Sequence, residues 1–325
     1  MNLFVSFKYL VALDDHRHFG RAALACSVTQ PALSNAIRAL EENFGASIVK
    51  RGRNFAGFTE EGERILVSGR TMLREYELLQ QDLHSRENTP VGNLLIGAVP
   101  TAMPIAARFA AMLHDLHPGI APAVRSMSSV ELETGIENLA LDMGLGYPER
   151  MQDNRSPVRV VPQYTEHYFL LRRAAVPDRE GLRIGPPITW KEAAALPLCM
   201  LSPEMYNRTI MDRAFGEVGI HPKPAIETNS VLTLALSVRA GRVVSVMPGA
   251  LVDDVHGYRE LEALPLTEPA VEVPIAFMVH DGNRPSRTLE AALAFAQDPA
   301  WLGVVARHAG GLASGVAEPS EATLG

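Results

Sequence analysis

Residues 20–41, GRAALACSVTQPALSNAIRALE, are rich in helix formers, yet a proline follows a short polar break. A proline inside a helix removes a hydrogen bond and clashes with the preceding turn, so this cannot be one continuous helix. Residues 20–26 read as a short helix whose Ala22, Ala23 and Cys26 are small enough for another helix to come close. Ser27 and Val28 make the break. Thr29 can cap a new helix through its hydroxyl. Pro31 then falls in the first turn, where a missing N–H costs nothing. From there Leu33, Ile37 and Leu40 recur at helical spacing as a buried stripe, while Gln30, Ser34, Asn35 and Arg38 share another face. Two short helices, a tight turn and a polar second helix make a helix-turn-helix. The polar face suits base edges and phosphates, and it would also suit an ordinary solvated helix.

The flanks complete a small domain. Phe4, Phe7, Leu10 and Val11 form a stripe on a preceding helix. Gly45 stops the polar helix. A β-like SIVKRG and a glycine-containing loop then read as a two-stranded wing carrying Lys50, Arg51 and Arg53, cations suited to phosphates or the minor groove. Charge agrees with this placement. The chain of 325 residues has net charge −7, yet residues 1–58 hold seven basic side chains against four acidic ones. A small positive end on an acidic protein argues against a generic polyanion binder and permits one local nucleic-acid contact.

This run resembles the winged helix-turn-helix of LysR-type transcriptional regulators. The matching residues are Ala22, Ala23, Leu24, Gln30, Pro31, Ala32, Leu33, Ser34, Ile37, Leu40, Glu41, Gly45, Arg51, Thr59 and Gly62. The family's Ser before the Phe of the second helix is His18 here, and its Phe before the wing's basic residues is Val49. The resemblance implies double-stranded operator DNA as a partner, read by Thr29, Gln30, Pro31, Ser34, Asn35 and Arg38 and clasped by Arg51 and Arg53.

Residues 60–87 contain no proline. Ile65, Gly69, Met72, Tyr76, Leu79 and Leu83 recur as in a heptad seam, widened by Leu66 and Leu73. The seam predicts a dimer helix over a helix packed on its own core, and the resemblance implies the same pairing. Residues 87–93, ENTPVGN, read as a hinge.

Beyond Leu94 short apolar runs (LLIGAV, LALDMGLGY, VVSVM, VPIAFMV) alternate with helical patterns, which indicates α/β architecture with strands buried on both faces. Ligands in such sheets sit beyond the carboxyl ends of strands. Three such ends carry hydroxyls: Thr101 after Pro100, Ser128 with Ser129, and Ser202 after Leu201. With free helix-end N–H groups they would suit a small organic carboxylate, although helix capping is the commoner use of Ser and Thr at such places. The resemblance implies a periplasmic-binding-protein-like effector domain of two α/β lobes. Thr228, Asn229, Met247 and Pro248 would also border its cleft, and the chain would cross near Pro162 and return near Leu266.

The expected organisation is a winged helix-turn-helix over 1–59, a linker dimerisation helix and hinge over 60–90, and an effector domain over 91–300. Lobe I takes about 91–162 and 266–300, and lobe II about 163–265. Residues 301–325, small and polar, are expected to be a disordered tail.

Other classes fare worse. There is no Gly-x-Ser-x-Gly elbow and no phosphate loop, and Gly144-x-Gly146 lacks the later glycine of a dinucleotide site. His114 and His117 have no partner at metal-ligand spacing. No enzyme activity, cofactor or metal is expected, and a solute receptor without DNA function would leave the N-terminal module unexplained. Two distant cysteines, Cys26 and Cys199, with no export signal and no long apolar run, predict a cytoplasmic protein without membrane contact. The expected protein is a metabolite-responsive transcription regulator. The resemblance adds a homotetramer built from two linker-helix dimers, with RNA polymerase as a further partner.

Overall fold

The computed structural model describes residues 2–50, 52, 55–84, 89–151, 157–178, 181–282 and 284–309, with backbone alone for 81–84. The chain divides into two units, one built on residues 1–89 and the other on most of the remainder.

The first unit holds α1 (Leu3–His16), α2 (Phe19–Ala25), α3 (Gln30–Phe44) and α4 (Glu60–His84). Each short helix starts on a side-chain cap. Asn2 accepts from Val5 N on α1. His18 does the same for α2, its Nδ1 accepting from Gly20 N and Arg21 N at 3.1 and 3.3 Å. An imidazole nitrogen thus performs the task of the serine that the family pattern places there. Thr29 accepts from Ala32 N, and Gly45 ends α3 in the left-handed region at φ 65°. Phe7, Leu10, Leu13, Leu33, Ile37 and Leu40 are buried together, and the small Ala22 and Ala23 admit them.

The wing is slighter than the sequence suggested. Among the described residues one bridge, Val49 to Phe58, joins its two arms. Its base is held by Glu41, whose carboxylate accepts from Ile48 N and Val49 N at 2.7 and 3.2 Å. Buried Phe58, edge-on to Phe55, fills the space beneath. The Thr59 hydroxyl donates to Ser47 O and accepts from Gly62 N, tying the wing to the start of α4.

The heptad reading of α4 separates into two faces. Leu66, Gly69 and Leu73 are buried, and Gly69 lies against the Phe7 ring of α1. Met72, Tyr76 and Leu79 are exposed, with Phe4 stacked on Tyr76 at 5.1 Å. Gly69 therefore serves the chain's own core. The Leu83 side chain lies outside the described residues.

The second unit is two mixed sheets. Its chain order is β1 (Gly92–Ala98), α5 (Met103–Leu116), β2 (Ile120–Ser126), α6 (Ser129–Glu137), β3 (Met143–Gly146) and β4 (Val158–Glu166), then β5 (Tyr168–Arg173), β6 (Arg183–Ile184), β7 (Ile188–Thr189), α7 (Trp190–Ala194), β8 (Leu198–Leu201), α8 (Tyr206–Glu217), β9 (Ile226–Thr228), α9 (Val231–Ala240), β10 (Val244–Pro248), α10 (Gly249–Asp254) and β11 (Leu261–Thr267). The chain ends with β12 (Val273–His280), α11 (Arg287–Phe295) and α12 (Pro299–His308). Lobe I is the sheet β2-β1-β3-β12-β4, and lobe II is β6-β11-β5-β10-β8-β9 with β7 beside β11. The crossing lies at His167, between β4 and β5, and the return runs through 268–272. Both come later than the sequence suggested, because Pro162 sits within β4 opposite Ala276 rather than ending the strand.

One expectation fails at the C-terminus. Residues 301–309 are not tail: Asp298 caps α12, Pro299 fills its first turn, and Trp301 and Val305 are fully buried. Trp301 packs edge-on against Phe109 at 5.1 Å and donates to Gln163 at 2.7 Å. A Trp and a Val one turn apart behind a Pro-capped start are a helix signal, and the small residues around them obscured it. Residues 310–325 lie outside the described residues.

Candidate functional site

On the first unit, the α3 face is built as the spacing predicts. Gln30, Pro31, Asn35 and Arg38 are exposed, while Ser34 is half-buried. Thr29 at the cap and Gln30 one residue on stand at the helix N-terminus, and Gln30 lies beside Gly20 and the His18 cap. Lys50 is exposed on the wing arm. Arg51 and Arg53 lie outside the described residues.

On the second unit, the ends of β1, β2, β3 and β8 converge on a small cleft between the lobes. Thr101, Ser128, Ser129 and Leu201 line it with Val99, Pro100, Tyr147, Met205, Tyr206 and Asn207. Its free volume is about 10 Å³, the space of a single water, so the cleft is closed. Of the residues expected there, Ser202, Thr228, Asn229, Met247 and Pro248 do not line it. Ser202 N donates to Thr228 O at 2.8 Å. Asn229 is exposed, and Met247 belongs to the lobe II core with Phe169 and Cys199.

The hydroxyls are also used differently from what a carboxylate site needs. Ser128 donates to Glu131 Oε2 at 2.8 Å while Glu131 N donates back to it, a reciprocal cap on α6. Ser202 donates to Glu204 at 2.6 Å. Thr101 bonds the Tyr147 hydroxyl at 3.1 Å.

Sequence reading missed the polar interior behind the cleft. Thr101, Tyr147, Asn207, Tyr168 and Glu166 form a buried chain of contacts that crosses from lobe I into lobe II and returns to lobe I at Glu166. The Asn207 amide donates to Tyr168 Oη at 3.1 Å and reaches Tyr147 Oη at 3.5 Å. Tyr168 in turn donates to Glu166 Oε2 at 3.3 Å. The Tyr164 hydroxyl faces the same carboxyl. Burial pushes the Glu166 carboxyl up to about 8, against the opposing pull of the Tyr168 and Tyr164 hydroxyls. Burial likewise raises Tyr147, Tyr164 and Tyr168 above the ordinary phenol range, with the Glu166 charge adding to it. Tyr164 and Glu166 alternate on β4 and so share one strand face, while Tyr168 opens β5 beyond the lobe crossing and meets them only through the fold.

The mouth is latched. Tyr206 of lobe II donates to Glu149 of lobe I at 2.8 Å and lies under the Arg150 guanidinium, 4.5 Å from its ring centre. Arg150 is itself bonded to Glu133.

Two family models match the chain: "Bacterial regulatory helix-turn-helix protein, lysR family" over residues 4–63 and "LysR substrate binding domain" over 87–300. Among curated relatives, the DNA-binding transcriptional dual regulator OxyR of Escherichia coli K12 is 27% identical over 285 residues, covering 85% of this chain and 88% of its own. The hydrogen peroxide-inducible genes activator of Pectobacterium carotovorum subsp. carotovorum is 28% identical over 280 residues, covering 85% and 89%. Full-length OxyR C199D from Pseudomonas aeruginosa superposes with TM-score 0.68 at 22% identity, over 90% of this chain and 96% of that one, a likeness of fold.

Proposed function

Because this chain belongs to the LysR family of bacterial helix-turn-helix regulators, we propose that it reads operator DNA through α3 and that a small polar effector in the cleft between the two lobes controls it. It is a transcription regulator with an effector-binding domain and not an enzyme. The observation that carries the DNA reading is the α3 face, where exposed Gln30, Asn35 and Arg38 stand on a helix fixed by a cap at each end. A recognition helix presents its N-terminal residues to base edges. Gln30→Ala is therefore expected to cost about 1–3 kcal/mol on the operator and little on scrambled duplex. Lys50→Ala should weaken both and reduce the salt slope by about one, as loss of a phosphate contact does. Titrations against the chain's upstream DNA and a scrambled duplex at several salt concentrations measure both. Equal losses for Gln30→Ala on the two duplexes would show that this face does not read sequence.

The oligomer proposed is a dimer through the exposed side of α4, doubled into a tetramer. Met72, Tyr76 and Leu79, with Phe4 and Phe44, leave an apolar face uncovered. Beside it runs a groove of about 390 Å³ lined by Phe7, Phe44, Ile65 and Met72. Met72→Glu with Leu79→Glu changes only exposed positions, so each chain should keep its fold. Charges in the seam should lower the sedimenting mass and weaken operator binding. An unchanged mass would place the interface elsewhere.

A carboxylate effector, as the strand-end hydroxyls suggested, would have to compete with Glu131 and Glu204 for Ser128 and Ser202. The names of the relatives raise a second reading, response to peroxide. Thiol oxidation needs a reachable thiolate and a resolving partner. Cys199 is fully buried in β8 and burial raises its thiol, while Cys26 belongs to the other unit and is raised as well. This chain's cysteines therefore favour a bound molecule over thiol chemistry. A cytoplasmic setting belongs to the same proposal. Among the described residues no helix is long and apolar enough to cross a membrane.

A further inference from the structure

The interior behind the cleft holds polar atoms without partners, the Tyr164 hydroxyl among them. Asn207 Oδ1 and Glu166 Oε1 are buried acceptors with no hydrogen-bond partner, and Asn207 is part of the cavity wall. Bond direction fixes the amide. With Glu166 ionised, as it would be once it gives up its proton opposite a cation, the Tyr168 proton goes to Glu166 and Tyr168 Oη accepts from Asn207 Nδ2, which leaves Asn207 Oδ1 as the atom a ligand would meet.

The charges around the cleft have the same sense. Glu131 and Glu149 stand beside it, each bonded to the hydroxyl of a lining residue, Ser128 or Tyr206. Two of the nearby cations are engaged. Arg150 is taken by Glu133, and Arg208 by Asp212, Glu227 and the Leu201 carbonyl. Arg213 lines a separate hollow with Glu149 and Glu217. An anion entering here would meet carboxylates, and the one nearby guanidinium without an ion pair among the described residues, Arg213, faces Tyr206 from the side of that other hollow and is not part of the cleft wall. A cation would meet two acceptors that lack donors, and burial of its charge would be offset by pairing with the buried carboxyl.

Resting on the effector-gated reading above, we propose that the effector is a small organic amine whose ammonium group is held by Asn207 Oδ1 and the Glu166 carboxylate once the Tyr206 latch opens. The phenols of Tyr147 and Tyr206, 5.0 Å apart and edge-on, supply the aromatic wall that suits such a cation.

The test uses the full chain and its thermal unfolding followed by tryptophan fluorescence. The two tryptophans, Trp190 and Trp301, both lie in the effector unit. The probes are n-propylammonium and 1,4-diaminobutane, against propionamide and propionate at matched ionic strength. At saturation the amines are expected to raise the midpoint by roughly 3 °C or more, and the amide and carboxylate by less than a third of that. Glu166→Gln and Asn207→Ala, each checked for a cooperative melt without probe, should remove the amine shift. The proposal is overturned if propionate shifts the midpoint more than the amines do, if no probe shifts it, or if both variants keep the amine response. Binding to the upstream DNA is scored separately. Its persistence under any of those results leaves the regulator reading intact, and its absence in the unmodified protein sinks that reading whatever the probes do.

Discussion

Replacing Gly62 with alanine is expected to unfold the DNA-binding unit well below the melting temperature of the rest of the chain. A Cβ at this position would stand 2.1 Å from the Ile48 carbonyl oxygen and 2.9 Å from its carbon. No rotamer relieves a clash with backbone, so either α4 or the base of the wing must move. That base is the most cross-tied part of the unit. Ile48 N is held by Glu41, and Ile48 O accepts from Thr59 N at 3.0 Å. Overpacking of this kind costs about 1–3 kcal/mol where side chains can yield, and a rigid carbonyl puts the cost at the upper end or beyond. Circular dichroism should show an early transition that tryptophan fluorescence does not follow, since both tryptophans report on the other unit. Binding to upstream DNA should fall with it. A Gly62→Ala protein that melts in one unshifted transition would mean that the wing does not close over α4 as described.

The second large effect concerns pH. Glu166 keeps its proton in the folded protein up to about 8 and loses it near 4.5 when unfolded. Between those values the folded chain binds more protons, so this residue's contribution to stability declines as pH rises from about 4.5 to 8 and is level above. Glutamine has the same shape and does not titrate. Glu166→Gln should therefore match the parent near pH 4 and exceed it increasingly up to pH 9, by at most about 5 kcal/mol at 1.36 kcal/mol per unit. Denaturant titrations read by tryptophan fluorescence at pH 5, 7 and 9 give the difference directly. A difference that stays constant with pH would show that Glu166 ionises freely and is not buried as described. If the gain appears together with loss of the amine response, the carboxyl is kept at the expense of stability for the sake of binding.

The N-terminal unit was legible because its signals are local. Thr29, Pro31 and Gly45 delimit one helix, and Leu33, Ile37 and Leu40 give its buried face, all within seventeen residues. The α/β class and the two-lobed plan followed from alternating apolar runs and the family resemblance. The cleft was only half legible. Thr101, Ser128, Ser129 and Leu201 sit where strand-end reasoning puts them. Tyr147, Tyr164, Glu166, Tyr168 and Asn207 come from four separate segments, and no spacing in sequence brings them together. Burial of a carboxyl is a property of the assembled sheets, so nothing in the sequence singles out Glu166. The seam on α4 was misread in part for the opposite reason. Gly69 fits the heptad, but its lack of a side chain is needed by Phe7 of its own chain, and period alone cannot say which neighbour a face is for.

The order of strands also sets a schedule for synthesis. Lobe II is a continuous stretch, and every strand of its sheet has been made by Thr267. Lobe I cannot close its sheet until β12, some dozen residues later, slots between β3 and β4. On the ribosome the inserted lobe can therefore finish first. Meanwhile the outer edge of β3, Met143 to Gly146, waits with its backbone groups unpaired and its buried side chains uncovered. An exposed apolar edge of this kind is where a nascent chain pairs wrongly. A released chain truncated between residues 267 and 273 should thus have a protease-resistant lobe II and a sticky, chaperone-bound lobe I.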